Sequence, residues 1–304
     1  MPTSSTSLLT SLTQLASDLE QQQFPESALY VVATPIGNIA DVSLRALKVL
    51  SLVDAIGCED TRNTGLLMSR LGLSTPLFSA HQHNERESAE KIITRLRKGE
   101  RIALVSDAGT PAISDPGAHI VDAVIAAGLR VIPIAGACAG IAALSASGLR
   151  TDEFHFVGFL PSKTSQRAQL LSGLLSTRAT LVFYEAPHRI LETAQALANA
   201  LGGERRVVVA RELSKLFEQI HRCQLRELHS WLAMAPEHQK GEFVLLVEAA
   251  VASDEPDLSE ATRVLSILLE SNSVSQAAAL AARITGLKKN ALYDLALKMQ
   301  TTDE

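Results

Sequence analysis

The chain has 304 residues, 46% of them apolar and 20% charged, with a formal net charge of −5. That length suggests two domains at about 150 residues each, and those fractions exclude a disordered or fibrous chain. The acidic balance excludes general coating of nucleic acid through phosphate neutralisation, though not a local basic patch.

Residues 1–28 are rich in Ser, Thr and Gln. Leu8, Leu12, Leu15 and Leu19 fall at helical spacing, which suits either a short amphipathic helix or a weakly docked tail. No Lys or Arg precedes Arg45, so no secretory signal is expected. From 29 to 148, short apolar runs alternate with helical patterns. Strands are expected at Leu29–Ala33, Ala55–Cys58, Pro76–Ala80, Arg101–Ser106 and Val131–Ile134. Helices are expected at Val42–Val53 and Glu59–Arg70, and from a capping box at Asn84 and Glu87 to Lys98. Two more run from an Asp115 cap and Pro116 to near Gly128, and from the Ala-rich stretch up to Gly148. This alternation predicts an α/β domain with a mostly parallel sheet covered on both faces. The uncharged stretch 131–149 has the length of a membrane span. Pro133, Gly136, Gly140 and Gly148 interrupt it, so a strand, turn and helix are expected instead, and no membrane association.

Residues 149–250 read as a second α/β domain. Its strands are expected at Phe154–Leu160, Thr180–Glu185, Arg206–Ala210 and Phe243–Val247, with helices at Gln166–Leu175 and Ile190–Leu201. Leu213–Ala233 fits helical and strand periods alike. Residues 251–260 form an acidic linker, and 261–304 contain three short helices of helix-turn-helix size. Cys58, Cys138 and Cys223 lie far apart without a C-x-x-C pair, so no zinc site or disulfide framework is expected, and a reducing, cytoplasmic compartment suits them.

Functional loops of a parallel sheet lie at the carboxyl ends of its strands. The expected strands are followed by Pro35-Ile36-Gly37-Asn38, by Glu59-Asp60-Thr61-Arg62, by His81 and His83, by Asp107-Ala108-Gly109-Thr110-Pro111 with Asp115-Pro116-Gly117, and by Ala135-Gly136-Ala137. Their joint placement predicts a ligand crevice. Neither G-x-G-x-x-G nor G-x-x-x-x-G-K-[ST] occurs, so the ligand is expected to lack phosphates. S-adenosylmethionine, with its ribose, amino-acid end and sulfonium, is such a ligand.

The strings VATPIGN, EDTR, SDAGTP, ISDPG, FYEAPHR, AREL and GEFVL occur in this order. With them the chain resembles the tetrapyrrole methylase-like superfamily of S-adenosylmethionine-dependent methyltransferases, in its branch acting on small-subunit (16S) ribosomal RNA. The resemblance runs from about Leu29 through the terminal GLKKNALYDLAL segment. It implies two α/β domains of the class III methyltransferase type with a donor cleft between them. It further implies 2′-O-methylation of a cytidine ribose in the decoding region of 16S rRNA within the small ribosomal subunit, a homodimer, and no metal. Matched residue by residue, Pro35, Ile36, Gly37 and Asn38 form the first donor loop. Asp107, Gly109, Thr110 and Pro111 form the second, with Asp115 just beyond, and Gly136 lies in the third. That third loop departs from the family's usual Pro-Gly-Pro, which leaves its shape less fixed.

A ribose hydroxyl is a weak nucleophile, so a base is sought among Asp60, Glu59, Asp107 and His83. Glu59 and Asp60 equally suit a helix start. Arg62 suits either an RNA phosphate or a pair with Asp60. His81 and His83, two apart, would face one side of a strand, without a third ligand for a metal. His188 and Arg189 are expected near a helix N-terminus opened by Pro187, a poor place for cations, and are read as substrate contacts. Arg211 and Glu212 are read as an internal ion pair. Lys288 and Lys289, with Arg263, Arg283 and Lys298, make the C-terminal part locally basic, and Lys163 and Arg167 make a second basic locale. Two rival readings stand: a tetrapyrrole C-methyltransferase, whose first loop is of Gly-Pro-Gly-Asp type, and a non-catalytic RNA-binding factor.

Overall fold

A computed structural model describes residues 7–251 and 258–301. The chain divides into two compact units, one up to Ala250 and one from Val251. The first is built on two five-stranded sheets.

The first sheet contains β1 (Ala28–Val32), β2 (Ala55–Cys58), β3 (Leu77–Ser79), β4 (Ile102–Val105) and β5 (Arg130–Ile134). Its order is β3-β2-β4-β1-β5, every pair parallel. A parallel sheet must be buried on both faces, and the apolar runs supply both. Tyr30, Val32 and Ile56 pack against Ala46 and Leu50 of α2 (Leu44–Leu52) and Met68 of α3 (Thr61–Arg70). Leu29, Ile102 and Leu104 pack against Ile92 of α4 (Glu85–Leu96) and Ile120 of α5 (Ala118–Ala126). The amphipathic N-terminal segment is helical as α1 (Leu8–Glu20), capped by Ser7. It buries no residue and is tied to α2 by Glu20–Lys48 at 2.6 Å.

The second sheet differs. β6 (Phe154–Phe159), β7 (Thr180–Glu185), β8 (Arg206–Arg211), β9 (Gln219–Gln224) and β10 (Phe243–Val247) run in the order β6-β7-β10-β8-β9. Only β6 and β7 are parallel; the other pairs are antiparallel. The segment with two competing periods holds both elements: β9, then α9 (Leu225–Ala233), separated where Glu227 accepts the Gln224 N–H at 2.9 Å. One face carries α7 (Thr164–Ser172), α8 (Ile190–Leu201) and α9. The other carries α6 (Ala139–Ser147), whose Ala143 and Leu144 pack against Val182, Val208 and Leu246.

The second unit is a three-helix cluster of α10 (Leu258–Leu269), α11 (Val274–Thr285) and α12 (Lys289–Thr301) around Leu265, Ala277, Ala281 and Leu292. A Ser273–Gln276 capping box starts α11, and Gly286 at φ 74° ends it. The expected linker at 251–260 falls partly at 252–257, outside the described residues, and α10 begins at Leu258 rather than at 261. Among the described residues no helix is long and apolar enough to cross a membrane.

Candidate active site

The chain reverses direction across the first sheet at β1, which lies between β4 and β5; open α/β sheets bind ligands at such a point. The loops that leave these three strands are stitched together. Thr34 N–H donates to the Gly109 carbonyl at 2.8 Å, and Gly109 N–H returns to Thr34 at 3.0 Å. Thr110 Oγ1 donates to the Ala137 carbonyl at 2.9 Å. Gly109 sits at φ 82°, which an L side chain would strain. A Cβ on Gly136 would stand 2.8 Å from the Ala33 Cβ. Gly109 is therefore demanded by its backbone angle and Gly136 by close approach to β1.

Beside these loops opens a cleft of about 440 Å³. The loops of the first sheet contribute Ile36, Asp107, Gly109, Thr110 and Asp115, and the second sheet contributes Phe159, Tyr184, Glu185 and Phe243. Its charged lining is acidic, which suits a cationic ligand, and its apolar walls suit a flat ring. The Tyr184 hydroxyl accepts the Gly140 N–H of α6 at 2.9 Å, and burial raises its pKa. Pro35, Gly37 and Asn38 lie on the first loop. Asn38 caps a 3₁₀ turn by accepting the Ala40 N–H at 3.1 Å. The loop after β8 reaches across: Ser214 Oγ meets Asp41 Oδ2 at 2.7 Å, and Lys215 lies against Gly37. Pro111 is buried behind the second loop.

The acids after β2 are arranged for structure. Asp60 caps α3 through the Arg62 N–H at 2.8 Å. The Arg62 guanidinium grips the same carboxylate at 3.1 and 2.7 Å and holds it down at about 2. Arg62 thus pairs with Asp60, the second of its two readings. Asp107 accepts the Asp60 N–H at 3.2 Å and Asn63 Nδ2 at 2.7 Å, which fastens α3 to the second loop. Burial raises Glu59, with the Asp107 charge adding. Burial likewise lifts Asp115 to about 6, against the Ser106 hydroxyl, while Glu59 and Asp107 add to the rise.

Several expectations are corrected. Asp115 does not cap α5; Gly117 at φ 128° does, and Asp115 faces the cleft. His81 and His83 share no strand, because β3 ends at Ser79 and Gln82–Asn84 is a 3₁₀ turn. The His83 side chain lies outside the described residues. Asn84 bonds backward to the His81 N–H at 2.8 Å instead of capping α4. Arg189 is not a free substrate contact: it donates to the Leu160 carbonyl at 2.6 Å and lies 3.5 Å from Glu185. His188 is exposed beside Pro187, and α8 starts only at Ile190. Arg167 is 2% exposed and paired with Glu192, so it leaves the expected basic locale. Arg211 binds Gln219 and the Lys240 carbonyl, whereas Glu212 pairs with Lys215. Lys288 and Lys289 are exposed at the entry to α12. Tyr184 and Phe159 line the cleft, although nothing in their local sequence marks them as site residues. Tyr184 stands in the FYEAPHR string, where His188 and Arg189 carry the local functional signal. Among the described residues no group of His, Cys, Asp and Glu could hold a metal.

Residues 28–229 match the family model of the Tetrapyrrole (Corrin/Porphyrin) Methylases, and residues 255–300 match the RsmI C-terminal HTH domain. The chain belongs to the tetrapyrrole methylase family. It is 52% identical to the Ribosomal RNA small subunit methyltransferase I of Pseudomonas aeruginosa, over 90% of this chain and 97% of that one. It is 48% identical to the protein of the same name from Escherichia coli O157:H7, over 90% and 96%. Among solved structures, the uroporphyrin-III-C-methyltransferase of Thermus thermophilus matches with a TM-score of 0.53 at 20% identity, over 73% of this chain and 94% of that one. The methyltransferase CobJ matches at 0.56 and 19%, over 75% and 96%. These last two likenesses concern the fold.

Proposed function

We propose that the protein is an S-adenosylmethionine-dependent methyltransferase of small-subunit (16S) ribosomal RNA, and that the acceptor is the ribose 2′-hydroxyl of a cytidine in the decoding region. The observation that carries the reading is the acidic cleft at the three stitched loops, in a chain about half identical to relatives named Ribosomal RNA small subunit methyltransferase I. Asp107, exposed in the cleft, suits the cationic donor, while Ile36 and Phe159 flank space for its purine. Pro35, Gly37, Asn38, Thr110, Pro111 and Gly136 shape the surrounding backbone. The donor supplies an activated methyl group, so alignment is the protein's main task, and orientation can supply roughly 7–11 kcal/mol.

An acidic cleft repels phosphate, so RNA presents a sugar there and is gripped elsewhere. Lys288 and Lys289 of the C-terminal unit are proposed for that grip, together with His188 of the first unit, which follows the cleft residue Pro187. The protein is further proposed to act as a homodimer in the cytoplasm on the assembled small subunit. The test is incubation with methyl-labelled donor and small subunits lacking the modification, followed by nuclease digestion. Label on a cytidine ribose is expected; donor binding without any label on RNA overturns the reading.

A further inference from the structure

Asp115 stands on a loop held in costly backbone. Ala112 and Ser114 have φ of 68° and 60°, and Gly117 has 128°. Non-glycine residues keep such angles only where their surroundings fix them, and such sites cluster at functional centres. This loop is fixed from two sides. Gly117 N–H donates to Glu85 Oε1 at 2.7 Å. Ser114 Oγ stands 2.7 Å from where a Cβ on Gly158 would lie, so the second sheet has a glycine where the loop presses on it.

The other acids of the cleft are occupied. Asp107 is held by the Asp60 N–H and Asn63. Glu185 accepts the Ala186 N–H at 2.8 Å and the Thr193 hydroxyl at 2.5 Å, with Arg189 beside it. Glu242 pairs with Lys215 at 3.1 Å. Among the described residues, none of the ion pairs includes Asp115.

We infer that Asp115 is the catalytic base: its carboxylate takes the proton of the ribose 2′-hydroxyl as that oxygen attacks the methyl carbon. This rests on the ribose reading above. The O2′–C bond forms while the carbon–sulfur bond breaks, the bonding pair stays on sulfur, and the proton passes to Asp115 and then to water. A base works best with a pKa near the working pH, and burial brings Asp115 to about 6. The groups around it are Glu59 after β2, Ser106 and Asp107 after β4, Tyr184 of β7, and Glu85 of α4 at the neighbouring Gly117. The nearby carboxylates raise its proton affinity, and the Ser106 hydroxyl opposes them.

The test combines Asp115→Asn and Asp115→Glu in single-turnover methylation of small subunits at saturating donor, across pH 5–9. Donor affinity is measured by calorimetry, and the carboxyl titration by infrared difference against Asp115→Asn. Expected are a rate loss of about 10²-fold or more in Asp115→Asn and loss of the acid limb near pH 6. Asp115→Glu should recover part of the rate with a displaced limb, and a carboxyl band titrating near pH 6 should be absent from Asp115→Asn. A saturated Asp115→Asn enzyme within about threefold of the native rate, or one that keeps the acid limb, overturns the assignment and leaves Asp115 a donor contact. Label on a cytosine atom instead of O2′ overturns the ribose reading and this inference with it.

Discussion

The Tyr184 hydroxyl accepts the Gly140 N–H at 2.9 Å, so a strand of the second sheet holds the first turn of the helix that follows the third loop. Phe156 and Phe159 meet the same ring edge-on, at 5.1 and 5.8 Å between centroids. The path of the third loop and second-sheet packing are thereby coupled through one side chain. Tyr184→Phe keeps the ring contacts and removes the acceptor. An unsatisfied N–H costs about 1–3 kcal/mol. Donor affinity by calorimetry should fall roughly tenfold while the edge-on packing keeps the fold intact. Unchanged affinity would mean that α6 is positioned by its apolar face alone.

Gly136→Ala addresses the third loop directly. The added Cβ would meet the Ala33 Cβ at 2.8 Å, an atom fixed to backbone and unable to swing aside. Overpacking of this kind typically costs about 1–3 kcal/mol. Here it separates the ends of β1 and β5. Urea denaturation should register that loss, and donor affinity should drop more than tenfold. Native affinity in the variant would show that the loop yields without disturbing the cleft.

Much of this site is legible in the residues because close-approach glycines and strand-end loops follow simple rules. The runs at Ala55–Cys58 and Phe243–Val247 are apolar enough to be read directly as strands. What escapes is partnership across long separations. Nothing local in Arg189 announces the Leu160 carbonyl, and nothing in Asp115-Pro116 distinguishes a cap from a cleft carboxylate, since both want a short acid before a helix. The second sheet's antiparallel pairing is equally hidden, because β7 and β10 are buried runs whose periodicity carries no strand direction.

Asp60→Asn should leave catalysis nearly intact. Its carboxylate is held down at about 2 by the Arg62 side chain and backbone N–H, so it is a poor proton acceptor at neutral pH. Asn is also a good cap. Single-turnover methylation at pH 7.5 should stay within about threefold of native, and the rate profile should keep its acid limb. A loss approaching 10²-fold would return Asp60 to the reacting centre.

Asp115→Asn should stabilise the protein, most at high pH. Folding raises this carboxyl from 3.8 to about 6. Well below 3.8 both states are protonated and the group is neutral toward folding. As pH climbs through 6 the fold must hold a charge that it disfavours, so stability is lost over that window. Two pKa units correspond to about 2.7 kcal/mol, and contact of the carboxyl with solvent reduces that to about 1–2 kcal/mol. Urea midpoints at pH 4.5 and 8 should show the gain growing with pH. An equal gain at both values would assign it to packing rather than to charge.

Lys288→Ala with Lys289→Ala tests the proposed RNA grip. Lys289 opens α12, where a cation opposes the helix dipole, so helix stability does not account for it. Each phosphate contact on single-stranded RNA contributes a slope of about −0.7 in log affinity against log salt. The double variant should flatten that slope by about 1.4 in filter binding to the small subunit. Donor affinity should be unaltered, because the residues that line the cleft belong to the first unit. A native salt slope would move the phosphate contacts to other residues.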